Sequence, residues 1–155
     1  MPNKPKFAAN TTVSPDDSLR EIKTILKRYG ATRIATSEEE SQVIIGFEVH
    51  ERRVRLVVKT PTLAESRQNA KGALMGSVQA RQAHEKAIRQ RWRALLLVIK
   101  AKMEAVEAGV ETFEEAFMAQ LVLPGSTRTV SEWLGPQIET AYRTGSLPFL
   151  LSTGD

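Results

Sequence analysis

The chain of 155 residues contains no cysteine. That removes disulfides, thiolate metal sites and cysteine nucleophiles together, and it suits a reducing compartment. Histidine is nearly as scarce, with only His50 and His84. Neither stands at metal-ligand spacing: no second histidine follows His84-Glu85 four residues on, so the helical zinc-protease pattern is absent. Aspartate occurs three times; Asp16 and Asp17 belong to a helix start and Asp155 is terminal. Aromatics are 6% of the chain, which leaves few surfaces on which bases could stack. The longest apolar run, Ala94 to Ile99, is far below the roughly 20 residues that span a bilayer. No apolar h-region follows Met-Pro-Asn-Lys-Pro-Lys, so no secretory signal is expected, nor any membrane partner. The expected location is the cytoplasm.

What is present is a globular composition, 41% hydrophobic and 26% charged, at a length that fits one domain. The net charge is +4, and the charge is segmented. From Arg81 to Lys102 seven Lys/Arg face one acid, Glu85; from Met103 to Val122 there are five acids and no base.

Residues 1–13 read as a mobile arm and 14–151 as one domain. Ser14-Pro15-Asp16-Asp17 is a helix start, with a capping hydroxyl, a proline at the first position and acids at the positive dipole end. Leu19, Ile22, Ile25, Leu26 and Tyr29 recur at helical spacing, and Gly30 supplies the stop. The period then changes to two. Arg33 to Thr36 is a short strand, and Ser37 to Glu40 a turn. Gln42 to His50 is a second strand, Glu51-Arg52 a tight turn, and Arg53 to Thr60 a third strand. Pro61 ends the sheet, and 61–80 reads as a long loop.

A long helix is predicted from Ala80 to Ala108, with Ile88, Trp92, Leu95, Ile99, Met103 and Val106 as its apolar stripe. Lys86, Arg89, Arg93 and Lys100 lie on one flank, Arg91 and Lys102 on the other. Thr112 and Glu115 form a capping box for a third helix that buries Phe113, Phe117, Met118 and Leu121. A last helix starts at Thr129 or Ser131, runs through Trp133, Leu134, Ile138 and Tyr142, and ends at Gly145. The expected class is α+β: an N-terminal helix, a three-stranded antiparallel meander, a long helix and two further C-terminal helices.

That element order is similar to the core of the single-strand annealing proteins of phages and eukaryotes. The segments RQRWRALLLVIKAKMEAVEAG and FEEAFMAQLVLPGSTRTVSEWLGPQIETAYRTGSLPFLL resemble a family of uncharacterised small proteins encoded by phages and prophages. This resemblance covers about Thr12 to Leu151. It implies a phage accessory origin in a bacterial host and brings no catalytic residue.

The residues themselves point away from catalysis. Glu48 with Lys59 resembles the carboxylate-and-lysine layout of many nucleases, but Val57 stands where that layout needs an acid. Glu38-Glu39-Glu40 reads as a solvated turn, Glu114 and Glu115 as a helix N-terminus, and Gly72 and Gly76 form no phosphate loop. No enzyme, metal or cofactor is expected. The remaining signal is basic. Arg53, Arg55 and Lys59 project from one face of the third strand, and Lys86, Arg89, Arg93 and Lys100 line the helix. If these rows border one groove, it would track a phosphate backbone. The expectation is sequence-independent nucleic-acid binding, with single-stranded DNA in replication or recombination as the ligand. The alternative is a protein-binding accessory or host-directed inhibitor, acting through the acidic Glu104–Glu115 stretch or an exposed helical face. Either is compatible with a homo-oligomer.

Overall fold

A computed structural model of the chain describes residues 11–69 and 71–146. The expected arm falls mostly on 1–10, and the end of the expected domain on 147–151, both outside the described residues. The observed elements are α1 (Pro15–Arg28), β1 (Thr32–Glu39), β2 (Gln42–Val49), β3 (Arg52–Lys59), α2 (Ser77–Glu107), α3 (Phe113–Phe117) and α4 (Val130–Thr144). This is the α+β architecture and element order that the sequence predicts.

Helix α1 starts as its sequence dictates. The Ser14 hydroxyl accepts from the Asp17 amide at 3.1 Å, Pro15 takes the first turn, and Lys27 and Arg28 sit in the last. Gly30 follows at φ 81°, where a side chain would be strained.

The sheet is antiparallel, in the order β1-β2-β3. Central β2 alternates strictly: Val43, Ile45, Phe47 and Val49 are buried, and the residues between them are half-buried. Register places Phe47 opposite Val54 and Ile45 opposite Leu56, so β3 adds to the same apolar face. Strand β1 is longer than the sequence pattern indicates, and Glu38 and Glu39 belong to it instead of to the turn. Its side chains are nearly all exposed, so no alternation of polarity marks its length. A bulge between Thr32 and Ala35 carries Arg33 at φ 51°. The β2–β3 turn is His50-Glu51, one residue earlier than expected. Both residues adopt positive φ (45° and 63°), as the twist of a two-residue hairpin demands.

Segment 61–76 is more ordered than a bare loop. Thr62 and Glu65 cap one another, the Thr62 amide donating to Glu65 Oε2 at 2.8 Å and the Glu65 amide to Thr62 Oγ1 at 3.2 Å, around a 3-10 turn at Glu65–Arg67. That turn packs against α2, which begins at Ser77, three residues before the expected start.

Helices α1 and α2 lie side by side on the apolar face of the sheet and run in the same direction. Glu21 meets Arg93 at 3.3 Å, and Arg28, the last residue of α1, meets Glu107, the last of α2, at 3.3 Å. The core joins Ile22 and Leu26 of α1 to the sheet and to Trp92, Leu95, Leu96, Ile99 and Met103 of α2. Phe117 of α3 closes one end, edge-on to Phe47 at 5.7 Å. Met118, expected to be buried with it, is exposed. After Phe117 the backbone tightens into a 3-10 turn at Met118–Gln120, and the change of period rotates that side chain outward. Helix α4 starts at Thr129, whose capping box with Glu132 is complete. None of its residues is buried.

Among the described residues no helix is long and apolar enough to cross a membrane.

Candidate nucleic-acid interface

The seven basic residues singled out in the sequence fall into two sets on different sides of α2. Arg53, Arg55 and Lys59 stand on the sheet face opposite the core, because Val54 and Leu56 between them point inward. Arg53 and Lys59 are exposed and make no ion pair among the described residues. Arg55 reaches α4, where its guanidinium lies 2.5 Å from Glu132 Oε2. The Thr129 capping amide holds the Glu132 carboxyl below the usual carboxylate range, helped by Arg55 and Arg128. This carboxylate therefore serves a helix cap and an ion pair at once.

On α2, Arg93 is tied to Glu21, and Arg89 lies against the start of α1 near Ser14 and Pro15. Lys86 and Lys100 are exposed. The helix cation that shares a cleft with Arg55 is Arg91, from the opposite flank of the stripe. A single groove bordered by both expected rows is therefore not what the packing builds. The cause is α1, which takes up the Arg89 and Arg93 side of α2.

Tertiary structure does extend the basic run. The 3-10 turn against α2 adds Arg67, and Lys71 follows it, so that nine Lys/Arg from Arg67 to Lys102 face one acid, Glu85. Of these nine, only Arg93 is in an ion pair among the described residues, and Lys102 donates to the Ala116 carbonyl. Most arginines elsewhere behave differently: Arg20, Arg28, Arg33, Arg52 and Arg55 each meet a carboxylate within 4 Å, although Arg53, Arg128 and Arg143 and the lysines outside this run are in no ion pair among the described residues. Arg67 and Lys71 were missed in the sequence because they lie before the expected helix. Their signal was the Thr62–Glu65 capping box.

The nuclease-like pair is not assembled. Glu48 stands opposite Arg53 and binds Arg33 at 3.2 Å, whereas Lys59 stands opposite Gln42. The six residues from 53 to 59 separate them by roughly 20 Å along the strand. His84 Nδ1 lies 3.5 Å from Ser66 Oγ, and no cluster of three or more potential metal-ligating side chains occurs among the described residues. The acidic stretch is largely engaged: Glu104 and Glu107 face Arg28, Glu114 meets Arg52, and Glu115 caps α3. Trp92 is 2% exposed and offers no ring for stacking.

No family model, no curated protein and no solved structure matches this chain.

Proposed function

We propose that the protein is a non-enzymatic nucleic-acid binder without sequence preference, acting in the cytoplasm of a bacterial host on single-stranded DNA for a phage or prophage. The observation that carries this reading is the unneutralised charge from Arg67 to Lys102. Ion pairs neutralise most arginines elsewhere, while Arg67, Lys71, Arg81, Lys86, Arg89, Arg91 and Lys100 have no carboxylate partner among the described residues. A helix of 31 residues is about 45 Å long, and cations spread along it match the repeating charge of a phosphate backbone. With Trp92 in the core, contacts run to phosphates more than to bases, which favours binding indifferent to sequence. The phage setting rests on the resemblance of the sequence from about Thr12 to Leu151 to small phage and prophage proteins.

Fluorescence anisotropy with a labelled oligonucleotide tests it. Binding is expected at low salt, equal for unrelated sequences. It should fall about 50- to 350-fold between about 50 and 200 mM salt if four to six phosphates are neutralised. Arg81→Glu with Lys86→Glu should weaken it for all sequences. Absence of binding at low salt, or binding that ignores this double reversal, overturns the reading.

A second reading, a protein-binding accessory, draws support from α4, where Trp133, Ile138 and Tyr142 remain exposed.

A further inference from the structure

The outer edge of β3 is covered for part of its length only. Val122 donates to the Arg53 carbonyl at 2.8 Å, and Leu121 bridges Val54. Backbone groups alternate along a strand, so residues 53, 55, 57 and 59 present theirs outward while 54, 56 and 58 bond to β2. The Thr60 amide, which turns back to Ser41 at 2.8 Å, fits this phase. Beyond Arg55 no strand pairs with the edge among the described residues. Beside it lies a cleft of about 330 Å³ between β3 and α2, floored by Ala94, Leu95 and Val98 and flanked by Arg91 and Gln120.

Two polar atoms of residues lining this cleft are buried without a hydrogen-bond partner: Arg55 Nε, a donor, and Gln120 Oε1, an acceptor. A buried orphan of either kind is unfavourable. Both atoms lie below the surface, so what a peptide would meet at this edge is the outward backbone N–H and C=O groups of Val57 and Lys59, which complement its own carbonyl and N–H. We infer that the Arg55–Lys59 edge of β3 and its cleft bind an extended peptide that adds to the sheet as a fourth strand, with apolar side chains alternating with acidic ones.

The alternation follows from the two faces of such a strand. Side chains pointing to the core side enter the cleft against Ala94 and Val98, where apolar groups fit. Those on the open face lie beside Arg55, which Glu132 already pairs, and Lys59, a cation without a carboxylate partner among the described residues, where an acid fits. A second copy of the chain is disfavoured by the same charges. Antiparallel self-pairing centred on Val57 would set Arg55 opposite Lys59, like against like. This inference is independent of the nucleic-acid reading and gives the protein-binding reading a surface and a partner chemistry.

The test uses the full-length chain and two fluorescein-labelled peptides of equal length, one alternating valine and glutamate and one alternating valine and lysine. The glutamate peptide should bind and shift the Val57 and Lys59 amide resonances; the lysine peptide should not bind. Val57→Pro removes an outward N–H on an edge strand and leaves the β2 ladder intact, so the fold should survive. It should weaken the glutamate peptide about tenfold, the scale of one lost main-chain hydrogen bond and a clash with the incoming strand. Should Val57→Pro perturb the sheet, Gln120→Ala and Arg91→Glu probe the cleft from outside β3, and each should weaken the same peptide. Equal binding of both peptides, binding unaffected by all three variants, or a dimer in solution that Val57→Pro dissociates would overturn the proposal. Oligonucleotide binding sensitive to Arg81→Glu with Lys86→Glu stands or falls separately.

Discussion

The Tyr29 hydroxyl donates to Glu107 Oε2 at 2.6 Å, joining the end of α1 to the end of α2 across 78 residues of sequence. Arg28 approaches the same carboxylate at 3.3 Å. The Tyr29 hydrogen bond, with the Arg28 charge beside it, holds the Glu107 carboxyl below its ordinary value, and the same bond pushes the Tyr29 phenol up. A carboxyl depressed in the folded state stabilises above its unfolded value of about 4.5 and loses that contribution as pH falls through the folded pKa. A phenol raised in the folded state stabilises below about 10 and loses its contribution as pH rises. The Tm difference between wild type and Tyr29→Phe should therefore be constant from about pH 6 to 9 and shrink on both sides. A difference unchanged down to pH 3 would contradict the pairing.

Trp92, at 2% exposure, is among the largest fully buried side chains. Trp92→Ala should destabilise by about 3–5 kcal/mol in urea denaturation. In Trp133→Phe protein, iodide should quench the remaining Trp92 fluorescence poorly. The converse variant, Trp92→Phe, should leave a readily quenched Trp133, which is 37% exposed.

Ser18 faces the core from α1 at 0% exposure, and its hydroxyl has no hydrogen-bond partner. Alanine there removes an unsatisfied buried group and improves helix propensity. Ser18→Ala should raise stability by about 1 kcal/mol, read as a higher urea midpoint with an unchanged slope.

Charge reversals on the two basic surfaces should differ in their effect on folding. Arg81 and Lys86 are exposed and without ion-pair partners, so Arg81→Glu with Lys86→Glu should leave Tm nearly unchanged. Arg55→Glu would set a carboxylate against Glu132, which also caps α4, and should lower stability by about 0.5–1 kcal/mol. Thermal denaturation of the two proteins side by side checks the contrast.

Elements whose signals are local were legible in the sequence. The Ser14-Pro15 start, the alternation of Val43, Ile45, Phe47 and Val49, and the Thr112 and Thr129 caps depend on atoms a few residues apart. So does the Trp92, Leu95, Ile99, Met103 stripe, since helical spacing alone puts those residues on one face. The Thr62–Glu65 cap was equally local and went unread because no apolar period follows it. Strand β1 escaped in part because an exposed edge strand has no buried face to impose an alternation.

The surfaces were decided by tertiary structure. Basic residues on a helix and on a strand carry no information about which carboxylate they will meet. Packing α1 beside α2 gave Arg93 to Glu21, and seating α4 beyond β3 gave Arg55 to Glu132. Those pairings span 72 and 77 residues, and they determine which cations are neutralised. Composition and period fixed the kinds of element and the charge each would bear. Only the docking of one element on another could fix which charges remain free, because an ion pair depends on distances of a few ångströms between residues far apart in sequence.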